Sequence, residues 1–340
     1  MTDDLLRRYA ELVVHVGANV LPGSVVQLRC DIAHRELARA VAEEAYATGA
    51  RRVYVDYDDG HVRLSALRHA PVDALSETVP WELARLRQSE QESWALIRLT
   101  GNPEPHLFDG VDPARVAAVP LELAMESRRI LTSGAVTWTI VAAPNPGWAE
   151  QVFGDPDVDR LWDAISLPLR LDQPDVVAAW EEHRQTLERR ALAMDALELD
   201  TVHYHGAGTD LVVGLIPGCR WTGGGLKASD GRWYMPNLPT EEVFTSPDRT
   251  RAEGVARLTR PLVMPRAGAV VEDLVVRFEG GRVVEVEASS GADVVRAELA
   301  TDEGADRLGE VSLVDGGSRV RAAGLVFHDK LYDENAGCHV

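Results

Sequence analysis

Short apolar runs alternate with helical stretches through the first two hundred residues, and this alternation most limits what the 340-residue chain can fold into. Residues 25–30 (Val-Val-Gln-Leu-Arg-Cys) have the composition of a strand. Asp31 is placed to cap the next helix, in which Leu37, Val41 and Tyr46 recur near helical spacing until Gly49. Residues 52–56 form the next strand, with Asp58-Asp59-Gly60 as turn chemistry. Residues 94–99 and 137–142 supply two more strands. Successive strands joined by helices pair in parallel, since a parallel partner requires a crossover, and the helices then cover the sheet faces. Residues 1–198 are therefore expected to form a mostly parallel α/β domain.

The texture changes after Asp200. A long helix is expected over 174–199, with Val176, Val177, Trp180, Leu187, Ala191, Met194 and Leu197 on its apolar side. Residues 201–205, 209–216, 274–278 and 282–286 then read as strands, several alternating with period two. Glu279, Gly280 and Gly281 make a hairpin turn between the last two. Residues 199–340 are expected to be a β-rich α+β domain, so the fold class is α/β with two unlike halves.

Composition removes several function classes. A net charge of −19 repels both nucleic acid and an anionic membrane surface, so neither is expected as partner. No apolar stretch reaches the roughly eighteen residues a membrane helix needs, and the first helix (Leu5, Leu6, Tyr9, Leu12, Val13) lacks a signal peptide's apolar core. Cys30, Cys219 and Cys338 are scattered without CxxC spacing, which fits free thiols in a reducing compartment and a cytoplasmic location. The loops Gly101-Asn-Pro103 and Pro144-Asn-Pro-Gly147 come after strands, yet neither carries a nucleotide-binding glycine pattern, and there is no GxSxG elbow.

Carboxylates and one terminal histidine carry the candidate chemistry. Glu241 and Glu242 adjoin in an apolar segment. Neighbouring side chains on an extended chain point to opposite faces, so one can enter a cleft while the other does not. The opposite reading, both facing solvent, is equally compatible with the pattern. Glu310 begins a strand, and Glu334 and His339 lie five apart around Asn335-Ala-Gly337. His203 and His205 share one face of a strand, a two-ligand geometry, but are read as sheet-surface residues. Carboxylates with an imidazole are the donor set of a zinc- or cobalt-type hydrolytic centre.

Three segments together carry a resemblance: Asn237-Leu-Pro-Thr-Glu-Glu-Val-Phe-Thr245; Leu308-Gly-Glu-Val311 with Thr301-Asp-Glu-Gly-Ala305; and Asp333-Glu-Asn-Ala336 with His339. Pro146-Gly-Trp-Ala149, Val177-Ala-Ala-Trp180 and Gly208-Thr-Asp-Leu211 extend it over nearly the whole chain. The sequence resembles the thermophilic metallo-aminopeptidase family, of the aminopeptidase T and aminopeptidase S type. The resemblance implies a cytoplasmic homodimeric exopeptidase that acts on peptides with a free N-terminus through two divalent metal ions (Zn, Co, Mg or Mn). It implies metal ligation by Glu242, Glu310, Glu334 and His339, with Glu310 as the bridging carboxylate. Glu241, beside a ligand, is the candidate catalytic proton carrier. The family pattern continues with a tyrosine and a His-x-Asp pair that have no counterpart up to Val340, so a C-terminally incomplete chain with a weakened second metal position is expected. The competing expectation is a non-catalytic metal- or peptide-binding α/β protein.

Overall fold

The structure is a computed structural model and describes residues 3–264 and 269–340. The chain forms two compact units, Met1–Glu182 with Gly225–Pro239, and His183–Gly224 with Thr240–Val340. The chain thus passes between units at 182/183, 224/225 and 239/240, where the sequence shows one change of texture near 198/199.

The first unit is built on a parallel sheet. Strands β1 (Val25–Asp31), β2 (Arg52–Asp58), β3 (Ala95–Thr100) and β4 (Thr137–Ala142) lie in the order β2-β1-β3-β4, and the short strand Asn237–Leu238 pairs with β4. All neighbours are parallel. Val26, Leu28, Ile97, Leu99 and Val141 are buried, as expected of strands covered by helices. Asp31 does act as a cap, accepting from the Ala33 amide at 2.8 Å, and a short helical turn leads into the helix Arg35–Ala47.

Two segments read as turns prove to be helix starts. Asp59 caps the helix Gly60–His69, and Asn145 caps Pro146–Phe153 by accepting from the Trp148 amide at 2.9 Å. Turns and N-caps draw on the same Asp, Asn and Gly residues, so composition does not separate them. The Gly101-Asn-Pro103 loop packs on the second of these helix starts: a Cβ on Gly147 would fall 2.0 Å from the Pro103 carbonyl oxygen. Its proline and glycine serve close packing.

The second unit is antiparallel and β-rich. β5 (Thr201–Gly206), β6 (Thr209–Leu215), β8 (Pro247–Arg257), β9 (Val275–Glu279) and β10 (Arg282–Glu287) form one sheet in the order β10-β9-β8-β6-β5. A separate pair joins β7 (Glu242–Thr245) to β11 (Val311–Val314). Leu211, Val213, Leu215, Val243, Val276, Phe278 and Val311 belong to one core cluster. Gly280 and Gly281 adopt φ values of 56° and 77° in the β9–β10 turn, the left-handed region that favours glycine. A parallel α/β unit and an antiparallel β-rich unit match the expected fold class, though the chain enters the second unit at His183 and returns to the first over Gly225–Pro239. No helix among the described residues is long and apolar enough to cross a membrane.

Candidate metal centre

Register in the β7–β11 pair brings the acidic residues together. Val243 lies opposite Leu313 and Thr245 opposite Val311, and this face turns to the core, with Val243 and Val311 buried. Burial of each valine contributes about 1.5–3 kcal/mol to holding that orientation. The other face must then carry Glu242, Phe244 and Ser312, since side chains opposite one another in an antiparallel ladder share a face. His339 adds a third rung: its amide and carbonyl exchange hydrogen bonds with Ser312 at 3.1 and 2.9 Å. The Tyr204 hydroxyl lies 3.2 Å from both the Ser312 and the His339 carbonyl oxygens.

On that face, His339 Nε2 lies 3.0 Å from Glu242 Oε2 and 3.4 Å from Glu310 Oε1. The donor atoms of the three residues lie within 4.8 Å of one another. Ser312 Oγ donates to Glu242 Oε2 at 2.6 Å. His339 Nδ1 donates to the Gly337 carbonyl at 3.1 Å, which turns Nε2 toward the carboxylates. Glu242 is buried, whereas the Glu310 side chain is 42% exposed and opens the cluster to solvent.

Glu334 ends the helix Lys330–Glu334 and lies outside the three-donor contact, but close enough to feel Glu242, Glu310 and His339 electrostatically. Asn335, fully buried behind it, accepts from the Glu241 amide at 2.7 Å, while its side-chain amide donates to the Leu331 carbonyl at 2.8 Å. Glu241 is also buried, yet on the other side of the chain: its Oε2 lies 3.7 Å from His183 Nε2, which bonds the Thr240 carbonyl at 2.9 Å. The adjacent glutamates therefore face different surroundings, and neither faces open solvent.

Burial opposes charge throughout this region. It works against the His339 imidazolium, but hydrogen bonds to Glu242 and Glu310 outweigh it and carry the ring up to about 10. It works equally against the Glu242 carboxylate, where the His339 and Ser312 bonds win and hold the group below its ordinary range. For Glu334 burial prevails over the nearby Lys330 charge, and its carboxyl is pushed up to about 7.

The donor set fits a divalent cation. Two carboxylates and an imidazole nitrogen suit zinc, cobalt or manganese, the serine and the Gly337 carbonyl orient the donors from behind, and the imidazolium proton sits where a cation would balance the acids. Ser312 and Asn335 are not evident from sequence because a serine in a strand and an asparagine after a helix have many ordinary roles. The fixed offset of Ser312 from Glu310, two residues on the same face, is the available signal.

Residues 2–340 match the family described as Thermophilic metalloprotease (M29). The chain belongs to that family. It is 40% identical to Aminopeptidase T of Thermus thermophilus, covering 98% of this chain and 83% of the relative. It is 36% identical to Aminopeptidase 2 of Geobacillus stearothermophilus, covering 98% of this chain and 82% of the relative. The solved structure of wild-type AmpT from Thermus thermophilus superposes with a TM-score of 0.89 at 38% identity, covering 98% of this chain and 84% of that one. The metalloprotease family brings with it a divalent metal, and the named aminopeptidases favour the hydrolase over the non-catalytic alternative.

Proposed function

We infer that this chain is a metal-dependent aminopeptidase that removes the first residue of a peptide, with Glu242, Glu310, His339 and Glu334 holding two divalent ions. The reading rests on one observation: in a metalloprotease-family chain, Glu242 and Glu310 meet His339 on one face of three paired segments. Bound cations supply water acidified toward neutrality and polarisation of the scissile carbonyl. Glu242 and Glu310 would provide the negative charge that holds the ions, and Glu310, the more exposed of the two, is the residue the resemblance implies as the shared ligand. His339 would ligate through Nε2 once that nitrogen is deprotonated, with Nδ1 held by the Gly337 carbonyl. Glu241 lies buried beside His183 on the side of the chain away from Glu242, so the proton-carrier role expected of it between water and leaving amine does not follow from the geometry. A cleft rich in carboxylates also attracts the cationic N-terminus of a peptide.

Free, dispersed thiols at Cys30, Cys219 and Cys338 support a reducing, cytoplasmic setting, and the resemblance supports a homodimer. The deciding experiment loads the purified protein with zinc, cobalt or manganese and offers aminoacyl-nitroanilides beside their N-acetylated forms. Cleavage restricted to the free amines is expected. No cleavage with any of these metals, or equal cleavage of the blocked substrates, overturns the reading.

A further inference from the structure

A second group of metal donors lies on the β5–β6 hairpin. The period-two alternation of β5 turns Val202 and Tyr204 inward and His203 and His205 outward. Across the ladder His205 stands opposite Asp210, and His203 is its diagonal neighbour. Asp210 Oδ1 consequently lies 2.6 Å from His203 Nε2 and 3.7 Å from His205 Nδ1. Donor atoms of all three residues fall within 4.8 Å of one another. Two donors held about 2.0–2.1 Å from a tetrahedral zinc ion are about 3.3 Å apart, a value between the two observed distances. All three side chains are more than half exposed, so small rotamer changes meet little resistance.

We propose that His203, His205 and Asp210 form a surface site for a divalent transition metal, zinc above all, sharing no residue with the Glu242–Glu310–His339 centre. Two imidazoles and one carboxylate suit zinc, copper or nickel and discriminate against magnesium and calcium, which take oxygen donors. Water completes the coordination on the exposed side. The site also has a structural consequence. β5 is the edge strand of its sheet, and an edge strand frays more readily than a central one. A cation bridging His203 and His205 to Asp210 ties that edge to β6. The residue between the histidines, Tyr204, reaches the Ser312 and His339 carbonyls, so the clamp steadies a strand that supports the ribbon behind His339.

The test compares chelator-stripped wild-type protein with the double variant His203→Ala/His205→Ala, titrated with zinc by calorimetry. Wild type is expected to take up one equivalent more than the variant, with no such difference when magnesium is the titrant. Equal zinc stoichiometry in the two proteins overturns the proposal. A second measurement keeps both histidines in place: the full chain carrying Glu242→Gln/His339→Ala is given one equivalent of copper(II) and read by electron paramagnetic resonance. Hyperfine splitting from two nitrogens, lost on adding His203→Ala, supports the site, and a spectrum unchanged by that substitution refutes it.

Discussion

His339 occupies three roles at once: a backbone rung on Ser312, a hydrogen-bonded ring between Glu242 and Glu310, and a nitrogen donor once its Nε2 proton leaves. Replacing it with alanine removes the imidazole and leaves two neighbouring carboxylates without their cation. His339→Ala is expected to abolish metal-dependent cleavage, and retention of more than roughly a tenth of wild-type kcat/KM would contradict the assigned role. Ser312→Ala removes only the bond that orients Glu242, so metal affinity should fall by about tenfold to a hundredfold with folding preserved, as zinc titration would reveal. The titrations carry a sign. His339 titrates higher in the fold than in the unfolded chain, so its stabilisation is full below an unfolded value of 6.5 and is lost as pH rises through about 10. Glu334, a carboxyl raised to about 7, adds a contribution present below 4.5 and lost as pH rises through about 7. Metal-free protein should therefore melt at progressively lower temperature from neutral pH toward about 10, and His339→Ala should flatten the upper part of that slope. A metal displaces the His339 proton, so at about pH 8 zinc binding should release roughly one proton. Calorimetry in buffers of different ionisation heat measures this, and a release of zero would count against His339 as a donor.

Pairing at the scale of elements explains why three donors far apart in sequence, Glu242, Glu310 and His339, meet. β7 and β11 are each four residues long, too short to be stable alone. Their inner face is anchored in the core by Val243 and Val311, and Thr222 bridges to Phe244 on the far side of β7. Asn335 links the end of the Lys330–Glu334 helix to the Glu241 amide and so sets Glu334 relative to Glu242. Asn335→Ala leaves that buried amide without its partner and is expected to cost about 1–3 kcal/mol in urea unfolding. An unchanged midpoint would show that the link is dispensable. β1 to β6, β9 and β10 were legible in the residues because period-two alternation and the Gly280-Gly281 turn are local signals, whereas the central strand β8 was not read as one. The helix starts at Asp59 and Asn145 were not, since capping and turning draw on the same side chains. Asn237–Leu238 escaped for another reason: two residues carry no periodicity, and only their partner β4 makes them a strand.

Among whole-molecule effects, the division into two units governs how metal binding will be felt. The proposed ligands all lie in the unit His183–Gly224 with Thr240–Val340. A site occupied at a free metal concentration about one hundred times its Kd stabilises by about 2.7 kcal/mol. If calorimetry resolves two transitions, zinc should raise the one that belongs to this unit and leave the other in place. A shift confined to the other transition would put the metal elsewhere. The amino-acid pattern by itself determined the two unlike fold types, because strand and helix spacings depend on neighbours within a few positions, while the acidic residues set beside His339 came from what the resemblance implies. It also carried the family resemblance through nearly the whole chain. How Asp210 joins His203 and His205, and why Ser312 and Asn335 matter, were decided only in the tertiary structure. Those are contacts between residues far apart in sequence or across a ladder, and their geometry comes from strand register and core burial, which no local pattern encodes.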